Sequence, residues 1–139
     1  MTISTSKYGH LKYTVVLADI VALGAALTGD ITLDTLPPGT AIRGYLIKSS
    51  AALTGGAIAS ATAQLKLNAT LVGAAAQSVF TVAAETGALV TNVTQAQNGT
   101  PNISSANVLK TTLTTTTGNL NAATSGQIDH IVDYSALGL

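Results

Sequence analysis

The stretch TGDITLDTLPPGTAIRGYLIK, residues 28 to 48, most constrains what this chain can fold into. Its first part alternates apolar and polar residues, which is the two-residue period of a half-buried strand. Pro37, Pro38 and Gly39 then interrupt the pattern, and a proline followed by a glycine at positive φ suits a type II turn. An extended apolar run resumes at Ala41. The stretch therefore predicts a hairpin of two strands joined by a tight turn.

Similar short runs, separated by residues typical of turns, recur along the chain. Residues 19–27 are expected to form a connection with at most one helical turn, and turns are expected at Gly118-Asn119 and around Gly126. Further strands are predicted at residues 11–18, 61–67, 78–84, 89–93, 108–117 and 127–134, with a helix as the alternative at 78–84 because alanines flank it. Seven or eight short strands without a long helix predict an all-β fold, an antiparallel β-sandwich or jelly roll.

The first ten residues differ from the rest, because they are polar and lack periodicity. We expect residues 1–10 to form an extended N-terminal arm, disordered in a free monomer and able to lie on a neighbouring molecule. Residues 11–139 are expected to form a single domain, since their length is that of one ordinary domain.

The chain carries few charges for its length. Charged residues make up 9% of it, with six basic and six acidic residues that cancel to a net charge of zero, whereas soluble domains average about 25%. A surface with little electrostatic self-repulsion tends to associate. The composition therefore favours a subunit of an assembly, and the alternative is a poorly soluble monomer.

No catalytic, cofactor or metal site is predicted, and the chain is not expected to be an enzyme. There is no cysteine to act as a nucleophile or zinc ligand. His130 follows Asp129, but adjacent strand residues point to opposite faces, so His130 is interpreted as structural. Asp129 and Asp133 are expected on a solvated face, as are Asp30 and Asp34.

Nucleic acid and membrane are not expected partners. The six basic residues are dispersed and form no run interleaved with aromatic residues. The longest mainly apolar run, residues 15–27, contains Asp19 and is too short to cross a bilayer. The first residues lack the apolar segment of a secretory signal, so synthesis in a cytoplasm is expected.

Two parts of the chain resemble a known family. The pattern around LPPGT and the closing stretch TGNLNAATSGQIDHIVDYSAL resemble the jelly-roll decoration, or cement, proteins of tailed, short-tailed bacteriophage capsids. One departure is Gln127, where the family pattern has a basic residue. The matching residues are turn and core positions: Leu36, Pro37, Gly39, Gly118, Asn119, Leu120, Thr124, Gly126, Ile128 and Tyr134.

The resemblance implies a structural virion protein on the outer surface of an icosahedral shell, made in the host cytoplasm. Its expected partners are the major capsid protein, at junctions between subunits, and further copies of itself in a dimer or trimer. The expected interaction residues are Tyr8, His10 and Tyr13, and we expect Tyr8 and Tyr13 to order only against a neighbour. The competing interpretation is a carbohydrate- or receptor-binding β-sandwich with at least two tyrosines on an exposed platform.

Overall fold

Two antiparallel sheets face each other in the computed structural model, which describes residues 1–5, 10–72, 76–82 and 101–136. Within these ranges, α1 covers Leu17–Val21 and a 3-10 helix covers Leu120–Ala122. The strands are β1 (Thr2–Thr5), β2 (Leu11–Val16), β3 (Thr28–Leu36), β4 (Thr40–Thr54), β5 (Ser60–Leu67), β6 (Thr70–Leu71), β7 (Gln77–Ser78), β8 (Asn107–Thr116) and β9 (Ser125–Ala136). The predicted all-β sandwich is confirmed, with nine strands in the described ranges, and β4 alone is 15 residues long.

The strands pair in a nested order. Sheet 1 has the order β1-β2-β9-β4, and sheet 2 has the order β3-β8-β5-β6, with β7 also pairing with β5. The pairing of β3 with β8 therefore lies, along the chain, inside the pairing of β2 with β9.

The alternation predicted for the strands of sheet 2 is present. In β5, every second residue from Ala61 to Leu67 is buried, and the residues between them are half-buried. β8 follows the same period, with Leu109 and Leu113 directed into the core. These side chains meet those of sheet 1 in a core that is mainly aliphatic.

The N-terminal arm is partly a strand. Thr2–Thr5 pair antiparallel with the start of β2 in the same chain, so the expectation that the arm is disordered in a free monomer was wrong for this segment. All four residues are exposed. An edge strand of this kind needs backbone hydrogen bonds and no buried side chain, so hydrophobic periodicity could not reveal it. Residues 6–9 lie outside the described ranges.

The predicted turn exists, but it joins the two sheets. The Thr40 amide donates to the Pro37 carbonyl at 3.3 Å, and Gly39 has a φ of +76°, as the third residue of a type II turn requires. However, β3 belongs to sheet 2 and β4 to sheet 1, so the predicted hairpin was wrong. The sequence pattern identified both strands but contained no information on their partners.

The other predicted turns differ from one another. Gly118-Asn119 does separate β8 from the 3-10 helix, and a Cβ on Gly118 would lie 2.5 Å from the Ile58 backbone nitrogen. Gly126, by contrast, lies inside β9, so its assignment to a turn was wrong. A Cβ on Gly126 would lie 2.9 Å from Ile20 Cδ1, so a side chain here would displace the end of the Ile20 side chain of α1.

The remaining sequence predictions agree in part. The helical turn expected in residues 19–27 is α1, although it begins at Leu17, and Asp19 Oδ2 accepts a hydrogen bond from the Val16 amide at 3.0 Å. No helix in the described ranges is long and apolar enough to span a bilayer. The strand predicted at 78–84 overlaps only β7, and the one at 89–93 lies outside the described residues.

A buried amide closes one end of the sandwich. Asn107 is fully buried, and its Nδ2 donates to the carbonyls of Pro37 and Asn102, both at 3.1 Å. Its Oδ1 accepts from Asn68 Nδ2 at 3.0 Å and from the Asn102 amide. Asn68 lies in the turn after β5, so one side chain connects the intersheet turn, the 101–106 loop and the β5–β6 turn. We call this the Asn107 cluster.

A second polar contact connects the centres of the two sheets. His130 in β9 is fully buried, and its Nε2 lies 2.9 Å from Thr111 Oγ1 in β8, at hydrogen-bond distance. The other ring nitrogen, Nδ1, is buried without a hydrogen-bond partner among the described residues. Burial lowers the pKa of His130 from 6.5 to about 4, so the ring is neutral at physiological pH.

Replacing Gly39 by Val should lower the free energy of unfolding by about 2 kcal/mol, because a β-branched residue is strained at a φ of +76°. Gly39→Asn is the matched control, since asparagine tolerates this region better and should cost less. Urea unfolding measures both. Equal stability of the Val variant and the parent would contradict the turn assignment.

Asn107→Ala should destabilise the fold by about 3 kcal/mol, because several buried partners lose their hydrogen bonds together. Asn119→Ala provides the comparison, as Asn119 is exposed and makes no side-chain capping bond. Thermal and urea unfolding of both variants check the difference. If both substitutions had the same small effect, the Asn107 cluster would not hold this end together.

Stability should fall by about 3 kcal/mol as the pH drops from 6.5 towards 4. The unfolded chain takes up a proton at His130 in this window, whereas the folded chain, whose pKa is about 4, does not. Urea titrations at several pH values would show the slope. His130→Gln should flatten it, whatever its own effect on stability, and an unchanged slope would assign the effect to other groups.

Candidate functional site

Of the three predicted interaction residues, Tyr13 is a core residue. Its side chain is fully buried, and its hydroxyl donates to Asp34 Oδ2 at 2.8 Å. Burial, followed by the bond to Asp34, raises the pKa of Tyr13 far above its usual value. The bond joins β2 of sheet 1 to β3 of sheet 2. The expectation that Tyr13 orders only against a neighbour was therefore wrong, and Tyr8 lies outside the described residues.

His10, in contrast, lies at the surface beside two charged side chains. Its Nδ1 is 3.7 Å from Asp133 Oδ1, and Arg43 Nη2 donates to the same oxygen at 3.0 Å. The Asp133 side chain is 30% exposed, and that of Arg43 is 61% exposed. The strand pairing explains the contact, since Asp133 of β9 lies between β2 and the bulge at Arg43 in β4.

A shallow hollow opens beside this group. Its volume is about 190 Å³, and its walls are His10, Leu11, Val132, Asp133 and Tyr134. We call it the His10 hollow. It places an imidazole, a carboxylate and a phenol beside two aliphatic side chains, at the end of sheet 1 where β2 begins.

Asp129 and Asp133 of β9, both expected on a solvated face, differ in their exposure to solvent. Asp133 is partly exposed, but Asp129 is only 5% exposed and accepts hydrogen bonds from Thr14 Oγ1 at 2.9 Å and Ser50 Oγ at 2.5 Å. The sequence could not separate the two, because the difference arises from the hydroxyl groups on the neighbouring strands β2 and β4. Asp129 therefore has a structural role.

The outer side of sheet 2 is a polar face rich in hydroxyl groups. The strand pairing aligns its outward side chains in rows across β3, β8 and β5, about 4.8 Å apart within a row. We call it the hydroxyl face. Its members are Thr28, Asp30, Thr32, Ser60, Thr62, Gln64, Lys66, Lys110, Thr112, Thr114 and Thr116.

Several of these hydroxyls already bond to one another. Thr28 Oγ1 and Thr114 Oγ1 lie 3.2 Å apart, and Ser60 Oγ and Thr116 Oγ1 lie 2.7 Å apart. Because a hydroxyl can both donate and accept, each of these groups keeps bonding capacity towards a further partner. The face is thus ordered by its own contacts and still able to bind polar groups.

Three charges lie on the hydroxyl face, all towards one end. Lys66 and Lys110 are directly opposite each other in the pairing of β5 with β8, and Lys110 Nζ lies 3.4 Å from Asp30 Oδ2. The hydrogen bond from Thr112, and then the lysines, hold the pKa of Asp30 below its usual value. The row that contains Thr114 and the row that contains Thr116 carry no charge.

The described residues contain no group of three or more histidines, cysteines and carboxylates that could hold a metal ion. His130 contacts Thr111 in the core and not a carboxylate, so it does not form a catalytic pair with Asp129. The residues that come together at the surface are instead His10, Asp133 and Arg43. Only His10 was selected from the sequence, because Arg43 and Asp133 are 90 residues apart in the chain and meet through the bulge in β4.

The residues that carry the resemblance to phage cement proteins have structural roles. Gly39 forms the intersheet turn, Gly126 packs against α1, and Leu120 and Ile128 are fully buried. Residues at such positions determine the fold and do not form a binding surface, so the cement function that the resemblance implies stays a prediction. Comparison with protein-family models, with curated proteins and with solved structures found no match to this chain.

Proposed function

We propose that this chain is a capsid cement protein: it binds the outside of an icosahedral phage shell at junctions between major capsid subunits and stabilises the shell. The hydroxyl face is the observation that carries this proposal. The resemblance in the sequence and the sandwich fold support it. In this proposal the protein resides on the exterior of the virion and acts without catalysis.

The chemistry of the hydroxyl face suits attachment to a protein lattice. Burying a hydroxyl that finds a hydrogen-bond partner costs much less than burying a charge. The row of Thr28, Thr114 and Thr62 presents hydroxyls over three strands and contains no charged group. Such a surface can cover polar backbone and side-chain groups of a shell without leaving buried charges unpaired.

The interior of the sandwich supports this use by keeping the face in one shape. Tyr13 and Asp34 connect the sheets near one edge, and His130 and Thr111 connect their centres. The Asn107 cluster fixes the end where β3, β5 and β8 meet. A face that is ordered before binding loses little conformational entropy when it binds.

Assembly of several copies would supply the remaining strength. A face of mostly neutral groups gives each copy a modest affinity, but linked copies bind with a high effective concentration. The low overall charge favours association of such copies, as a dimer or trimer. The proposed partners are therefore the major capsid protein and further copies of this chain.

Co-sedimentation with phage capsids that lack their decoration layer tests the proposal. We expect saturable binding in a fixed ratio to the major capsid protein. Thr114→Lys, in the centre of the hydroxyl face, should weaken binding at least about tenfold, because an ammonium group would have to be buried. Light scattering gives the oligomeric state of the same samples.

Thr124→Lys is the matched control, since Thr124 is exposed and lies outside the hydroxyl face. It should bind like the parent, and both variants should keep the parental melting temperature. Absence of saturable binding by the parent would refute the cement function. Equal binding by Thr114→Lys would place the contact on another surface.

A further inference from the structure

We propose that β1 is the self-association edge of this chain, where it pairs with β1 of a second copy about a two-fold axis. β1 is the outermost strand of sheet 1, and no described strand pairs with its other side. The backbone N–H and C=O groups on that side can therefore bond to a further strand. The edge is separate from the hydroxyl face, which belongs to sheet 2.

An exposed isoleucine lies on the side of β1 that is turned towards sheet 2. Ile3 pairs with Tyr13, whose side chain is in the core, and paired residues project from the same face of a sheet. Ile3 is nevertheless 51% exposed, so sheet 2 does not cover it. Tyr13 bonds to Asp34 of β3, the edge strand of sheet 2, so β1 extends beyond that edge. Space for a second strand and apolar surface to bury are thus present together.

The other described edges carry features that hinder pairing with a second chain. β3 has two aspartates, Asp30 and Asp34, and a bulge between Thr32 and Asp34. β4 exposes Arg43 and has three shifts of register. On the remaining edge, β6 and β7 have only two residues each. Charges, bulges and very short strands all oppose edge-to-edge pairing. β1 is also short, but it contains no charge, proline or bulge.

The charges near β1 do not oppose pairing with an identical strand. The ammonium group of Met1 lies 3.1 Å from Asp19 Oδ2 and is thereby compensated. Lys12 of β2 pairs with Ser4, so in a dimer three strand spacings, about 14 Å, would separate it from Lys12 of the second copy. At physiological salt this distance exceeds the range of electrostatic repulsion, which is about 8 Å.

The two-fold axis defines the register of the pairing. An axis perpendicular to the sheet makes the two β1 strands antiparallel and keeps the inner faces of both copies on the same side. Centred on Ile3, it places this residue directly opposite Ile3 of the second copy, with their Cβ atoms about 5 Å apart. The two exposed isoleucines then cover each other.

Pairing over four residues buries less surface than a stable dimer needs, so the association is expected to be weak. On a shell it would link copies that are already bound through their hydroxyl faces, and this use rests on the proposed function. The pairing itself does not depend on a shell.

Sedimentation equilibrium of the full chain from about 10 µM to 1 mM, without capsids, tests the pairing. We expect a reversible equilibrium between monomer and dimer. Ile3→Lys should weaken it at least about tenfold, because two ammonium groups would face each other across the axis. A parent that stays monomeric, or forms a trimer, would overturn the proposal.

Ile103→Lys is the matched control, since Ile103 is 67% exposed and lies in the loop before β8. It should associate like the parent, and both variants should keep the parental circular dichroism spectrum. If Ile3→Lys associated as strongly as the parent, the contact would not be at β1.

A mixture of Ile3→Lys and Ile3→Glu tests the register. Neither variant should associate alone, but an equimolar mixture should, because opposite charges then lie across the axis. If β1 were instead exchanged onto β2 of the second copy, residue 3 would lie beside Tyr13, and mixing would restore nothing. Failure to restore association would therefore overturn the two-fold pairing. These measurements use no capsids, so their failure is distinguishable from failure of the cement function.

Discussion

The arrangement of the two sheets depends on the Asn107 cluster. Consecutive strands β3 and β4 lie in different sheets, so the turn between them must hold both sheets at a fixed distance. Proline and glycine set the shape of that turn, but its position is fixed by hydrogen bonds from Asn107 and by the Gly39 amide, which donates to the Asn102 carbonyl at 2.8 Å. A buried amide with four partners tolerates little displacement, which makes this end of the sandwich rigid.

Local chemistry in the sequence predicted the elements well. The alternation in β5 and β8 and the proline–glycine turn at residues 37–39 follow from short-range rules, and all of them are present. The all-β class followed from the same signals. Gly126 shows their limit, because a glycine inside a strand, packed against Ile20, and a glycine in a turn look alike in a sequence.

Most of the candidate site could not be predicted, because it depends on strand partners. Asp133 meets His10 and Arg43 only through the pairing of β9 with β2 and β4. Tyr13 was misassigned to the surface, because its bond to Asp34 crosses between sheets. The hydroxyl face was visible only as a threonine-rich strand, and its rows appear when β8 is placed between β3 and β5.

The nested strand order has a consequence for how the protein is made. β9 lies in sheet 1 between β2 and β4, so neither of these strands has its central partner until the ribosome has synthesised the chain through Ala136. The contacts of β2 with β9 close a loop of more than 100 residues, as Val16 pairs with Gln127. Long-range pairing of this kind folds slowly. Sheet 1 must therefore form late, after most of the chain has left the ribosome, and its exposed strand edges need protection from aggregation until then.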